Sequence, residues 1–135
     1  MAELTRKEII KMIATSDRIS LRGVDLSGLD LSHFYFEAAD LSFANLSKAN
    51  LAGADLTRAF LIETDFTGAD LTNAGLEEAI LSRARLVNAN LTGADLMKAD
   101  LRTADITGAV FKWVDLRHAI TDIEQDRLAV TTVTP

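Results

Sequence analysis

From Leu21 to Leu116, every fifth residue of the chain is a large aliphatic or aromatic side chain, and the register never slips. The series runs Leu21, Leu26, Leu31, Phe36, Leu41 and on to Leu101, Ile106, Phe111 and Leu116. Two residues before most of these stands an alanine: Ala39, Ala44, Ala49, Ala54 and Ala59, then, after Thr64, Ala69 to Ala109 without a break. A period of five suits neither regular element. On an α-helix five residues advance the face by about 140°, so the leucines would spiral around the outside. On a straight strand, side chains alternate, and an odd spacing sends successive leucines to opposite faces. The series converges only where the chain bends at every repeat and winds around an axis to which these side chains all point. That is a solenoid of short extended pieces joined by corners.

The alanines follow from packing. If the leucine and the residue two before it both face inward, a narrow coil holds one large group and one methyl, and interiors tolerate neither voids nor overpacking. Thr64 replaces alanine at this position, where its hydroxyl can satisfy a backbone group. The position just before the leucine is usually Asp or Asn: Asp25, Asp30, Asp40, Asn45, Asn50, Asp55, Asp65, Asp70, Asn90, Asp95, Asp100, Asp105 and Asp115. Short acceptors of this kind suit bends, because they bond nearby backbone groups. Gly28, Gly53, Gly68, Gly93 and Gly108 fall at corners in this register.

Stretches such as Ala54-Asp55-Leu56-Thr57-Arg58 and Ala94-Asp95-Leu96-Met97-Lys98 resemble the pentapeptide repeat family. The resemblance covers residues 19–120 and implies an all-β solenoid, a right-handed quadrilateral β-helix with four repeats per coil and about five coils. The leading reading is a non-enzymatic protein–protein interaction, scaffold or regulatory module, since a rigid rod with decorated faces suits docking; the many short bacterial members that share the pattern have no assigned role. A second role within the family is DNA mimicry, inhibiting or protecting DNA gyrase and other type II topoisomerases. That role wants a longer and more uniformly acidic rod. Here Lys48, Arg58, Arg83, Arg85, Lys98 and Arg102 interrupt the acid.

Open solenoid ends expose a leucine layer and unpaired backbone, so they need covers. Residues 1–18 are expected to provide an N-terminal capping helix. Thr5 and Glu8 form a capping-box pattern, Leu4 and Ile9 sit at staple spacing, and Ile9, Met12 and Ile13 share one helical face. A partner-binding amphipathic helix is the competing reading. The Ala position of the first coil is overfilled by Ile19, Val24, Leu29 and Phe34, where a lid needs apolar contact. Residues 121–135 are expected to form a C-terminal cap and tail, with a short helix from Thr121 whose Ile123 and Leu128, together with Ile120, pack on the last layer with Val114. Dimerisation through this segment competes with that reading. Trp113 is expected beneath the cap.

With four repeats per coil, residues twenty apart stack. Phe60 and Ile80 then occupy the outward Asp/Asn position in adjacent coils, Ile62 stands outward beside them, and Phe43 lies at the edge of the same face. Asp40, Ser42, Ser82, Asp100 and Arg102 would rim them. A clustered apolar patch with a polar rim is the usual appearance of a contact site, for a foreign protein or a second copy. Scattered outward apolar residues of no consequence are the alternative.

The remaining signals point away from chemistry. The net charge of -6 over the 135 residues has the wrong sign for nucleic acid. The chain has no cysteine, which removes thiol and disulfide chemistry and suits a cytoplasmic protein. No apolar run reaches membrane-spanning length, and the start lacks a signal-peptide layout. The stacked Asp and Asn residues read as bend caps rather than metal ligands, and His33 and His118 as surface residues with no nucleophile to orient. No catalytic residue, cofactor or metal site is expected.

Overall fold

The computed structural model describes residues 4–122, and the expected C-terminal helix and tail lie outside these residues. From Ser20 to Ile120 the chain forms no continuous strand. It forms single-residue parallel bridges, each joining a residue to the one twenty positions on, as in Asp65↔Arg85 and Asp70↔Asn90. The fivefold spacing of the bridges and their twenty-residue register give four ladders along the solenoid.

Backbone hydrogen bonding explains why a repeat of five residues closes without leftovers. In the repeat Asp65–Ala69, the Asp65 N–H donates to Ala44 O of the preceding layer at 3.0 Å, and the Phe66 and Gly68 N–H groups donate to Arg85 O and Val87 O of the next. The Ala69 N–H turns back to Phe66 O at 2.9 Å. One donor is left over, the N–H of Thr67, and the Asp65 side chain accepts it at 2.9 Å. The Asp/Asn position is therefore the one that completes the count of backbone donors. All thirteen Asp and Asn residues of the series accept from the N–H two residues on.

The turn back to the leucine carbonyl, with a left-handed residue before the alanine, is the geometry of a type II turn. Every fifth residue from Gly23 to His118 has a positive φ. Six of these are glycines, at 67–72°, and fourteen are not, at 54–63°. Glycines were expected at these corners. That bulky residues such as Arg58, Glu63 and Lys98 adopt the same backbone is a finding the sequence does not announce. The interlayer ladder holds those from His33 to Lys98 there, since each such N–H is fixed to the next layer, as Lys98 N–H is to Arg117 O at 2.9 Å.

The core is one column-packed cluster of the inward leucines, phenylalanines and alanines, nearly all without solvent exposure. Thr64 is buried among them and its hydroxyl donates to Leu41 O at 2.8 Å, as its place required. At the N-terminal end lies α1, Arg6–Thr15. Its capping box is complete: the Thr5 hydroxyl accepts from the Glu8 N–H, and the Glu8 carboxylate accepts from the Thr5 N–H at 2.7 Å. Ile9 is fully buried, and Leu4, Met12 and Ile13 pack with Ile19, Val24 and Leu29 against the core. The overfilled first layer is thus met by the apolar side of α1. Arg6 adds a tie, bonding Asp30 O while its guanidinium lies 4.5 Å from the centre of the Phe34 ring.

The other end corrects one expectation. Ile120 does not turn inward to pack on the last layer. The register puts it at the outward bridge position opposite Asp100, half exposed. Trp113 stands at a left-handed corner, 51% exposed, with Lys112 Nζ 4.2 Å from its ring centre.

Candidate functional site

The ladder Ser20–Asp40–Phe60–Ile80–Asp100–Ile120 stacks the two outward apolar residues directly on one another. Phe60 and Ile80 are half-buried, as is Ile62. Phe43 occupies the corner one layer earlier, with its N–H on Ile62 O at 2.9 Å and 46% of its surface exposed. The four residues singled out from the sequence thus lie on one face, between Asp40 on one side and Asp100 on the other.

Phe60 and Ile80 have no side-chain acceptor to offer. The Ile62 and Ser82 N–H groups, which an Asp or Asn at 60 and 80 would take, have no hydrogen-bond partner among the described residues. The apolar stack therefore forgoes two bend caps in adjacent layers, each a bond worth about 1 kcal/mol.

Polar groups frame the stack. Asp40 accepts from the Ser42 N–H at 3.0 Å and meets Arg22 at 3.5 Å. Arg22 also covers the Phe43 ring at 4.6 Å. Partial burial pushes the Asp40 carboxyl up, but the Ser42 and Arg22 contacts outweigh it and hold it below the usual carboxylate range. At the far end Arg102 binds Asp100 through two nitrogens, at 3.0 and 2.7 Å, which lowers the Asp100 carboxyl. Two features escaped sequence reasoning. Ser42 is 1% exposed although its position faces outward. A hollow of about 360 Å³, lined by Arg18, Ile19, Ser20, Asp40 and Phe60, opens beside the stack towards α1.

The other ladders carry their charges in pairs. Arg83 meets Glu63 at 3.4 Å, Lys98 meets Glu78 at 3.8 Å, Arg85 meets Asp65 at 3.9 Å, and Arg58 meets Glu37, each across adjacent layers. The acid is therefore interrupted in space as well as in sequence. Among the described residues no cluster of His, Asp and Glu could hold a metal ion, and no helix is long and apolar enough to cross a membrane. His33 and His118 are both exposed.

The bend caps make stability depend on pH. The Ser27 hydroxyl and N–H lower Asp25, those of Ser32 lower Asp30, and Arg117 lowers Asp115. A carboxyl lowered in the folded state contributes stability that is complete above its unfolded value near 3.8 and is lost as pH falls through the folded value. Thermal melts should give a level midpoint from pH 7 to about 5 and a continuous fall below about pH 4. A midpoint unchanged down to pH 2 would show that these carboxylates gain nothing on folding.

A family model described as pentapeptide repeats matches residues 19–58, 49–86 and 84–120, in 8 copies. No curated protein sequence matches the chain. Among solved structures it is similar to a pentapeptide repeat protein of the Arabidopsis thaliana thylakoid lumen, at 37% identity over 81% of this chain and 75% of that one, with a TM-score of 0.48. It is similar to the pentapeptide repeat protein Rfr23 of the cyanobacterium Cyanothece 51142, at 31% identity over 93% of this chain and 97% of that one, with a TM-score of 0.51. It is also similar to HetL of Nostoc sp. strain PCC 7120, described as involved in heterocyst differentiation regulation, at 24% identity over 87% of this chain and 64% of that one, with a TM-score of 0.46.

Proposed function

The chain belongs to the pentapeptide repeat family, and on that premise we propose that it is a non-enzymatic interaction module that docks a protein partner on the Phe60–Ile80 face. The observation that carries this reading is the stacking of two large apolar residues, in adjacent layers, at the position whose usual Asp or Asn completes the backbone. The fold gives up two bend caps there and holds apolar surface half in water, while Asp40, Arg22, Asp100 and Arg102 supply the polar rim of a contact site.

The framework proposed for this module is a right-handed quadrilateral β-helix of about five coils, one side per pentapeptide, spanning residues 19–120. Residues 1–18 are proposed as the cap of one end, and residues 121–135, most of which lie outside the described residues, as the cap of the other. The twenty-residue bridge register and the left-handed corner at every fifth residue support that cross-section. At one strand spacing per coil the rod is about 24 Å long. DNA mimicry takes second place, because paired cations break up the acid along the rod.

The variant Phe60→Asn/Ile80→Asn tests the docking face. Asparagine removes the apolar surface and supplies the missing acceptor for the Ile62 and Ser82 N–H groups, so the variant should fold with the circular dichroism of the wild type. In a pull-down from lysate of the source cells, a partner held by the wild type should be lost by the variant. Recovery of the same partners by both proteins would refute docking on this face.

A further inference from the structure

We propose that the hollow beside the stack receives an extended segment of the protein partner in which an acidic side chain stands next to a large apolar one, with Arg18 as the counterpart of the carboxylate. This rests on the reading of the Phe60–Ile80 face as a protein-docking surface and adds the chemistry of the partner.

Three features meet at the hollow. Its apolar lining comes from Ile19 and Phe60, continuous with Ile80 through the bridge ladder. Its volume of about 360 Å³ admits a large side chain with its flanking backbone. Its charge is set by which ions are already engaged. Asp40 accepts from the Ser42 N–H and is paired with Arg22, and Arg22 also covers Phe43, so neither is free to meet a newcomer without breaking an existing contact. Arg18, by contrast, has no ion pair among the described residues. The unengaged charge at the rim is therefore positive, and it selects an acid.

Ser20 adds a backbone component. The N–H groups of Asp40, Phe60, Ile80 and Asp100 each donate to the preceding layer, but Ser20 begins the ladder and its N–H has no partner among the described residues. A free N–H of this kind can donate to a carbonyl of an extended peptide. An extended peptide whose apolar side chain enters the hollow and whose neighbouring carboxylate meets Arg18 satisfies all three features.

Titration of the ¹⁵N-labelled protein with the blocked peptide acetyl-Gly-Leu-Glu-Leu-Gly-amide, and with its Gln and Lys versions, tests the proposal. The Glu peptide should shift the Ser20, Asp40 and Phe60 amides and bind about fivefold tighter than the Gln peptide, as for a solvent-exposed ion pair. The Lys peptide should be weakest. Arg18→Glu, with an unchanged melting curve, should reverse the order of the Glu and Lys peptides, which loss of structure would not do. Equal binding of the three peptides, an order that survives Arg18→Glu, or no shifts up to about 5 mM, where even a millimolar site fills, would overturn the proposal. A partner lost by Phe60→Asn/Ile80→Asn but kept by Arg18→Glu overturns the hollow alone. A partner kept by the Asn pair overturns the docking face itself.

Discussion

Leu71→Ala is expected to remove about 2–5 kcal/mol of stability, the range for a fully buried leucine replaced in a close-packed core. Leu71 has no solvent exposure, and its backbone is fixed on both sides of the layer. Its own N–H binds Asn90 O at 2.7 Å, while the N–H of Asp70 beside it binds Ala49 O at 3.0 Å. The walls therefore cannot fold in on the space the side chain leaves, and the loss should lie in the upper part of that range. Leu116, in the last described layer and only half-buried, provides the contrast. Leu116→Ala should cost about 1 kcal/mol, because less surface returns to water and no closed cavity forms. Urea unfolding of both variants against wild type measures the difference. Against a total of about 5–15 kcal/mol for a domain, the central substitution should displace the midpoint several times further than the terminal one. Equal displacements would mean that the columns do not pack as a closed interior.

The register of the core was legible because a five-residue apolar period has so few geometric solutions. Every residue from Leu21 to Phe111 in that series is buried, and the alanines beside them are buried too, apart from the partly covered Ala104. The cap of α1 was legible for a local reason: Thr5 and Glu8 lie three apart, and their reciprocal bonds need nothing from the rest of the fold. The same locality made the Asp and Asn bonds readable, since each spans two residues.

What was not legible depends on contacts between layers. Glycine at a corner advertises a positive φ, but Arg58 and Lys98 carry no such signal, and their backbones are set by the neighbouring layer. Arg22 over Phe43 joins residues of successive layers, and its geometry needs both corners in place. The hollow at Arg18 and Ser20 is of the same kind, since it forms where the chain passes from α1 into the first bridge. Ile120 was misread because a terminal cap was expected to draw it inward, whereas the five-residue register keeps it outward for one further bridge. The Phe60, Ile62 and Ile80 cluster was visible once residues twenty apart were stacked. The two orphaned N–H groups beneath it emerged only from accounting for every backbone donor.

The left-handed corners carry the second large effect, and Ala38 is the cleanest place to measure it. Its φ is 56°, its N–H donates to Thr57 O at 2.9 Å, and its methyl group is exposed. Proline at this position would lock φ near −65°, remove the donor to the next layer and crowd the residue before it. Ala38→Pro should therefore cost about 3 kcal/mol or more, although no buried side chain changes. Glycine makes the opposite case. An L-residue in the left-handed region bears about 1–2 kcal/mol, and glycine relieves this at an entropic cost of about 0.5–1 kcal/mol. Ala38→Gly should then be neutral or stabilising by up to about 1 kcal/mol, with the denaturant midpoint shifted and the slope unchanged. Two substitutions at one exposed position, equal in having no packing role, should thus differ by about 3 kcal/mol or more. Loss of stability in both would mean that the methyl group matters for some contact and that the corner is not the strained element. Separation by about 3 kcal/mol or more would support the interlayer hydrogen bond of Ala38 as what holds this corner left-handed.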